Sequence, residues 1–391
     1  MLWLNFLHFY QPANIEYFNI RKALDKSYWR LLRLMEEHPD LRMTWNISGC
    51  LLERLIEGKE KSFIERLQFL VKRGQIELTG SAAYHGFLPL LPAAEVISQI
   101  KANEKILRKI FGKNFKPRGF FLPEMAYSPD AAKLIKQLGY SWIILDEYAV
   151  KNKLSKKLNE GIFIDAASGL LVVFRDRALS TAYPPDKLWP LFKSGSTGTY
   201  ITATDAELYG LRHEDPTGEI EKIARIKGLE TKILSDYIKS AGRKKIEKID
   251  LIPASWESTA SELKKKHPYH LWQNKKNDIQ TDLWHLANLA LGIGEKFKND
   301  KNYYWYRWHL VRGLASCTFW WASARDFSKI YGPYAWSPDD IERGLEDLIR
   351  AVRSLSDIKT KKVKLEAEKY YLRIKKNIWL EHWKKHWQKN I

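Results

Sequence analysis

The sequence predicts an α/β barrel followed by an all-helical region. Three observations carry that reading. Across the first two-thirds, short apolar runs alternate with amphipathic helical stretches, the pattern of βα units on a parallel sheet. At least six such strands fall within about 255 residues, which favours a closed barrel over an open sheet. From about Thr281 onward, apolar residues recur only at helical spacing.

The expected elements follow in order. Leu2–Phe9 is a strand, then helices cover Ile20–Glu37, Ser48–Glu57 and Ser62–Arg73. Gly74 stops the last of these and opens a strand at Gln75–Thr79. Ala93–Phe111 is helical, Gly119–Pro123 is a short strand, and Pro129–Leu138 is a helix closed by Gly139. Further strands are Tyr140–Asp146, Leu170–Arg175, Thr199–Asp205 and Lys248–Ala254. Leu179–Ser196, with Pro184, Pro185 and Pro190, reads as a rim loop. Leu283, Leu286, Ala287 and Ala290 form one helical stripe. Helices over Tyr303–Ala324 and Pro338–Leu355 follow, and Trp379, Trp383 and Trp387 form a stripe read as core packing. The expected division is a barrel over residues 1–275, with its rim loop near 179–196, and a helical domain over 276–391.

Composition narrows the function classes. The 391 residues are 45% hydrophobic, so a folded core is expected and disorder is excluded as the main state. No stretch approaches the roughly 18 apolar residues of a membrane span, and the opening MLWLNFLHFYQP reads as a buried strand, without the basic leader of a signal peptide. Two cysteines, Cys50 and Cys317, exclude a disulfide framework and point to a reducing, cytoplasmic compartment. The net charge of +19 raises nucleic acid, and the 16 tryptophans raise carbohydrate, whose flat ring faces stack on indole. The lysines are densest at 264–266, 275–276 and 361–376, between helical apolar positions, which reads as solvated faces rather than a nucleic-acid groove.

In a parallel barrel, working residues lie at the C-terminal ends of strands. That rule selects His8, Tyr10 and Gln11, then Tyr84 and His85, Glu124, Asp146 and Glu147. It continues with Arg175 to Arg177, Asp205 with Glu207 beyond it, and Ser255 with Trp256. Such a ring suits a polyhydroxylated ligand. Glu124 and Asp205 each end an apolar strand, and glycoside cleavage needs two carboxyl groups, one at the anomeric carbon and one to protonate the leaving oxygen. Taken alone, each acid is equally compatible with an arginine partner or a helix cap. Spacing also allows His8, His85, His213 and Asp205 as metal ligands from separate strands. His382 and His386 form the sole His-x-x-x-His pair, without the glutamate of a zinc-protease motif. Neither a Gly-x-Ser-x-Gly elbow nor a phosphate-binding loop occurs.

At these strand ends the sequence resembles glycoside hydrolase family 57. Five short family regions have counterparts in order. They are Leu7-His8-Phe9-Tyr10-Gln11-Pro12; Gly74 to Leu78 running into Tyr84-His85 and Leu88-Pro89-Leu90; Phe121-Leu122-Pro123-Glu124-Met125-Ala126; Thr204-Asp205-Ala206-Glu207-Leu208-Tyr209-Gly210; and Ser316-Cys317-Thr318-Phe319-Trp320-Trp321. The resemblance covers residues 1 to about 325. It implies an incomplete (β/α)7 TIM-like barrel followed by a C-terminal helical region. It also implies a retaining mechanism on α-glucosidic bonds of α-glucans, with no metal and no cofactor. Glu124 would be the nucleophile and Asp205 the general acid. His8, Tyr10, Gln11, His85, Asp146, Arg177, Glu207, Trp256, Trp320 and Trp321 would contact substrate. The sequence departs from the family pattern at Tyr10, Thr204 and Ala206, where a second histidine, an acid or histidine, and glycine are common.

Overall fold

The computed structural model describes residues 1–151, 158, 161–240, 246–323 and 336–389, without the side chains of 385–389. It divides into two compact units. The first holds Met1–Gln11, Glu16–Ala83 and Leu88–Trp256, and the second holds Pro12–Ile15, Tyr84–Phe87 and Glu257–Ile391.

The first unit begins with β1 (Leu2–Phe9). Helix α1 (Tyr17–Ala23) then passes through a π turn at Leu24–Tyr28 into α2 (Trp29–Glu37). Next come β2 (Met43–Ile47), α3 (Gly49–Glu57), α4 (Lys61–Lys72), β3 (Ile76–Leu78), α5 (Ala93–Phe111), β4 (Gly119–Phe120) and α6 (Pro129–Gln137). After them come β5 (Trp142–Asp146), β6 (Phe163–Asp165), β7 (Leu171–Arg175), α7 (Arg177–Ser180), α8 (Pro184–Lys193) and β8 (Thr199–Asp205). α9 (Glu219–Ala224), β9 (Glu230–Thr231), α10 (Leu234–Ser240) and β10 (Glu247–Ile249) complete it.

Seven parallel strands form the barrel. β3, β2, β1 and β8 lie side by side in one sheet, and β4, β5 and β7 in a second. The two sheets meet at thin junctions. At one, Gly80 donates to the Gly119 carbonyl and Phe121 donates to the Gly80 carbonyl, both at 2.9 Å. At the other, the Asp176 N–H donates to the Ile201 carbonyl at 2.7 Å. The weak ladders at these seams make the (β/α)7 barrel incomplete, as the family resemblance implies. β6 runs antiparallel to β7 and parallel to β10, forming a side branch.

Alternation fills the interior. Leu4 and Phe6 of β1, Trp142 and Ile144 of β5, Val173 of β7, and Ile201 and Ala203 of β8 share one buried cluster with Phe121, Met125 and Trp256.

Several expected elements differ. Lys248–Ala254 is not a barrel strand: only β10 forms, and it joins the side branch. The missed barrel strand is β2, buried at all five positions and therefore without a period-2 signal. β4 stops at Phe120, because Pro123 offers no N–H and Glu124 turns the chain into the left-handed region at φ 62°. The expected rim loop is helical, as α7 and α8. Pro184 and Pro185 sit in the first turn of α8, where a missing N–H costs nothing.

The second unit contains α11 (Ala260–Lys264), α12 (Asp278–Lys296), α13 (Tyr303–Gly313), α14 (Ser316–Trp320), α15 (Pro338–Ser354) and α16 (Lys361–Lys389). Leu283, Leu286, Ala287 and Ala290 are fully buried on α12, as their spacing predicts. The single helix expected over Tyr303–Ala324 breaks at Ala315, whose ψ of 138° is extended, and Ala324 lies outside the described residues. The tryptophan stripe of α16 is not its core seam. Ala367, Ile374 and Ile378 are the fully buried positions, while Trp383 is 48% exposed and Trp379 donates to Glu342 of α15 at 2.6 Å. The Trp387 side chain lies outside the described residues.

Candidate active site

The inward columns of the barrel end in polar groups. Leu4 and Phe6 lead to His8, Ile201 and Ala203 to Asp205, Trp142 and Ile144 to Asp146, and Val173 to Arg175. The apolar core thus gives way to chemistry at the C-terminal mouth. His8 and Asp205 are direct partners in the parallel β1–β8 register.

Glu124 is held in strained backbone. Its φ is 62° and that of Met125 is 47°, conformations that cost a non-glycine residue energy and cluster at functional sites. Trp256 fixes both its main chain and its carboxylate. The Trp256 N–H donates to the Glu124 carbonyl at 3.1 Å, and the indole Nε1 donates to Glu124 Oε2 at 2.9 Å. Trp256 is 9% exposed and lies under the Arg175 guanidinium, 5.4 Å from its ring centre. Phe121 stands 4.5 Å and Trp256 6.1 Å from the His8 ring, centre to centre. His8 therefore stands between the strand end that carries Asp205 and the tryptophan bonded to Glu124.

His8 is neutral at ordinary pH. Burial pulls its pKa down to about 4, against the opposing pull of Asp205 and the Asn46 hydrogen bond. Asn46 Oδ1 accepts from Nδ1 at 2.8 Å while Asn46 Nδ2 donates to Thr79 Oγ1 at 3.2 Å, an arrangement that puts the proton on Nδ1. Tyr10 stacks beside His8 at 5.9 Å. Arg212 Nη1 donates to Asp205 Oδ2 at 2.5 Å.

Glu207 is a buried carboxyl group under opposing influences. Burial pushes its pKa up to about 7, with Asp205 adding to the rise and Arg212 and Tyr28 resisting it. Gln11 Nε2 donates to Glu207 Oε1 at 2.7 Å, and the Tyr28 hydroxyl donates to the same oxygen. Tyr28 and its neighbour Ser27 occupy the π turn. Ser27 Oγ donates to the Ala206 carbonyl at 2.6 Å, so the widened turn sets both side chains against the segment beyond Asp205.

Asp146 is 1% exposed and accepts from Arg175 Nε at 2.7 Å, with Arg177 Nη1 at 2.9 Å. Arg177 also donates to the Trp256 carbonyl at 2.9 Å. Glu77 of β3 accepts from Thr44 Oγ1 and the Ser235 N–H, each at 3.1 Å. Sequence reasoning selected neither Asn46, Ser27, Tyr28 nor Arg212. Tyr28 and Ser27 lie mid-helix with no strand-end signal, and Arg212 follows the strand tip by seven residues.

His85 belongs to the second unit. It is 2% exposed with φ 57°, and its Nδ1 lies 2.8 Å from Ser316 Oγ, while the Ser316 N–H donates to the His85 carbonyl at 2.9 Å. The second and fifth sequence regions are thereby fastened together. Trp321 is 7% exposed and Trp320 half-buried. Among the described residues, no group of three or more His, Cys, Asp or Glu side chains could hold a metal ion, and no helix is long and apolar enough to cross a membrane.

The fold and site define a parallel α/β barrel with carboxyl groups near two strand tips, beside a buried histidine and a tryptophan bonded to one of them. Residues 4–249 match Glycosyl hydrolase family 57, and the chain belongs to that family. An α-amylase of Pyrococcus horikoshii is 33% identical over 149 residues, which is 37% of this chain and 23% of that protein. The chain thus aligns with under a quarter of that relative's length. The crystal structure of a 4-alpha-glucanotransferase from Thermococcus litoralis superposes with a TM-score of 0.73 at 18% identity, covering 91% of this chain and 60% of the other. That of a branching enzyme of the same family from Thermococcus kodakaraensis gives 0.69 at 16% identity, covering 95% of both. These structural likenesses establish the fold.

Proposed function

We propose that the chain is a retaining glycoside hydrolase or transglycosylase acting on α-glucosidic bonds of α-glucans and maltooligosaccharides. Glu124 attacks the anomeric carbon while Asp205, protonated, gives its proton to the leaving oxygen. The C–O bond breaks as the Glu124 ester forms. Asp205, now a carboxylate, then takes a proton from water or a sugar hydroxyl, whose oxygen displaces Glu124. The observation that carries this reading is the single array joining the two strand tips: Glu124 bonded to Trp256, Trp256 against His8, and His8 in register with Asp205. The α-amylase and 4-alpha-glucanotransferase relatives support the substrate class.

His8, Gln11, Arg177 and Glu207 hold sugar hydroxyls or orient the carboxyl groups, and Asp146 acts through the arginines it binds. Tyr10, His85, Trp320 and Trp321 complete the expected sugar contacts. Incubation with maltooligosaccharides of defined length tests the reading. A disproportionation ladder identifies a transferase, and accumulating glucose and maltose a hydrolase. The first-formed product should keep the α-anomer by proton NMR, and Glu124→Gln should abolish turnover with the fold intact. Unchanged release of sugar by that variant, or a β-anomeric product, overturns the assignment.

A further inference from the structure

Helix α13 opens with Tyr303-Tyr304-Trp305-Tyr306-Arg307-Trp308. Tyr306 points into the core, where its hydroxyl donates to the Ala290 carbonyl at 2.8 Å. Its neighbours do the opposite: Tyr304 is 67% and Trp305 55% exposed. Leaving two large aromatic side chains in water forgoes the burial that ordinarily stabilises them. The rings are also organised. Trp305 meets Tyr304 edge-on at 5.2 Å and Trp308 at 6.3 Å between ring centres. The Arg312 guanidinium lies 3.6 Å from the centre of the Trp308 ring and 5.3 Å from that of Tyr84. Trp305, Trp308 and Arg312 are spaced i, i+3 and i+7, one face of the helix. The row therefore runs from the exposed start of α13 to Tyr84, the neighbour of His85.

We propose that this row is a secondary binding track for an extended α-glucan chain, distinct from the residues that contact the bond being cleaved. The inference rests on the functional reading above. The exposed ring surfaces of Tyr304 and Trp305, held edge-on to one another, match the C–H faces of successive glucose units. Buried Arg312, whose Nη1 donates to the Trp308 carbonyl at 2.8 Å, lies over the Trp308 ring and fixes that end of the row. Continuity with Tyr84 and His85 gives the track its direction, toward a sequence region expected to hold substrate.

The double variant Tyr304→Ala/Trp305→Ala tests it, since both side chains are exposed and their loss leaves the core intact. Native electrophoresis through gels containing amylose should retard the wild-type chain and not the variant. The kcat/KM should fall about tenfold on amylose, which offers the track many glucose units, and stay unchanged on maltotriose, which offers three. Trp305→Phe should restore part of the retardation. Equal retardation of variant and wild type, or an equal loss on both substrates, overturns the proposal. So does a wild-type dimer that the variant splits in light scattering, which would make the row a contact between two copies. The gel reads binding without turnover. A wild-type chain retarded by amylose but inactive on it would sink the catalytic reading and leave the track standing. An unretarded wild-type chain would sink the track itself.

Discussion

Trp256 is bonded to Glu124 twice, through its N–H to the Glu124 carbonyl at 3.1 Å and through its indole to Oε2 at 2.9 Å. The first bond holds a glutamate in the left-handed region, and the second aims its carboxylate. Trp256→Phe deletes only the second. A hydrogen bond to a charged group contributes about 1.5–3 kcal/mol, so kcat/KM on maltoheptaose should fall roughly ten- to hundredfold. The thermal transition followed by circular dichroism should stay cooperative. A rate within twofold of wild type would mean that the indole donor does not serve Glu124 in turnover.

His8 and Glu207 titrate against one another in their effect on stability. His8 falls from 6.5 to about 4 on folding, so between those pH values the unfolded chain binds the extra proton and stability grows as pH rises. Glu207 climbs from 4.5 to about 7, so between those values the native state binds the extra proton and stability falls as pH rises. Over most of pH 4.5–6.5 the two slopes oppose each other. Glu207→Gln keeps an acceptor for Tyr28 and Gln11 but removes one slope. Relative to wild type, its stability should therefore rise between pH 4.5 and 6.5, by up to about 3 kcal/mol. Urea midpoints at three pH values read this directly, and parallel curves for the two proteins would refute the opposition.

Arg212 binds Asp205 through one arm of its guanidinium. In the proposed mechanism that bond orients the Asp205 carboxyl group toward the leaving oxygen. Arg212→Gln should lower kcat on maltoheptaose about tenfold and leave KM within about twofold of wild type. A raised KM with kcat unchanged would assign Arg212 to substrate binding alone.

Much of this site could be read from the sequence because strand ends are simple. β1 and β8 fall at their expected limits, since each carries a long apolar run against one polar tip. His8 and Asp205 were selected that way, whereas Trp256 was selected from an expected strand, Lys248–Ala254, that forms only as the short β10. What escaped were residues whose role depends on a neighbour distant in sequence. Tyr28 lies mid-helix and reads as core until Glu207, far along the chain, is folded against it. Asn46 belongs to β2, which shows no alternation because both faces are covered. The proline-rich segment at 184–190 illustrates the opposite error, because prolines that suggest a loop also open a helix when they fall in its first turn.

Gly210 packs its backbone against the π turn. It sits at φ 119°, and a Cβ there would fall 2.2 Å from the Lys26 carbonyl oxygen, in the same turn that supplies Ser27 and Tyr28. Gly210→Ala combines an unfavourable φ with a backbone clash, so it should cost about 2 kcal/mol or more. It should also lower kcat, because the relief lies in pushing the segment after Asp205 off the turn. Gly292, exposed within α12 with nothing within 4 Å of a Cβ, is the control. Gly292→Ala should gain about 0.5–1 kcal/mol through helix propensity with no change in rate. Urea midpoints and kcat measured on both variants distinguish a local clamp from general fragility. If Gly210→Ala lost stability but kept full kcat at low temperature, the π turn would support the fold without positioning Asp205.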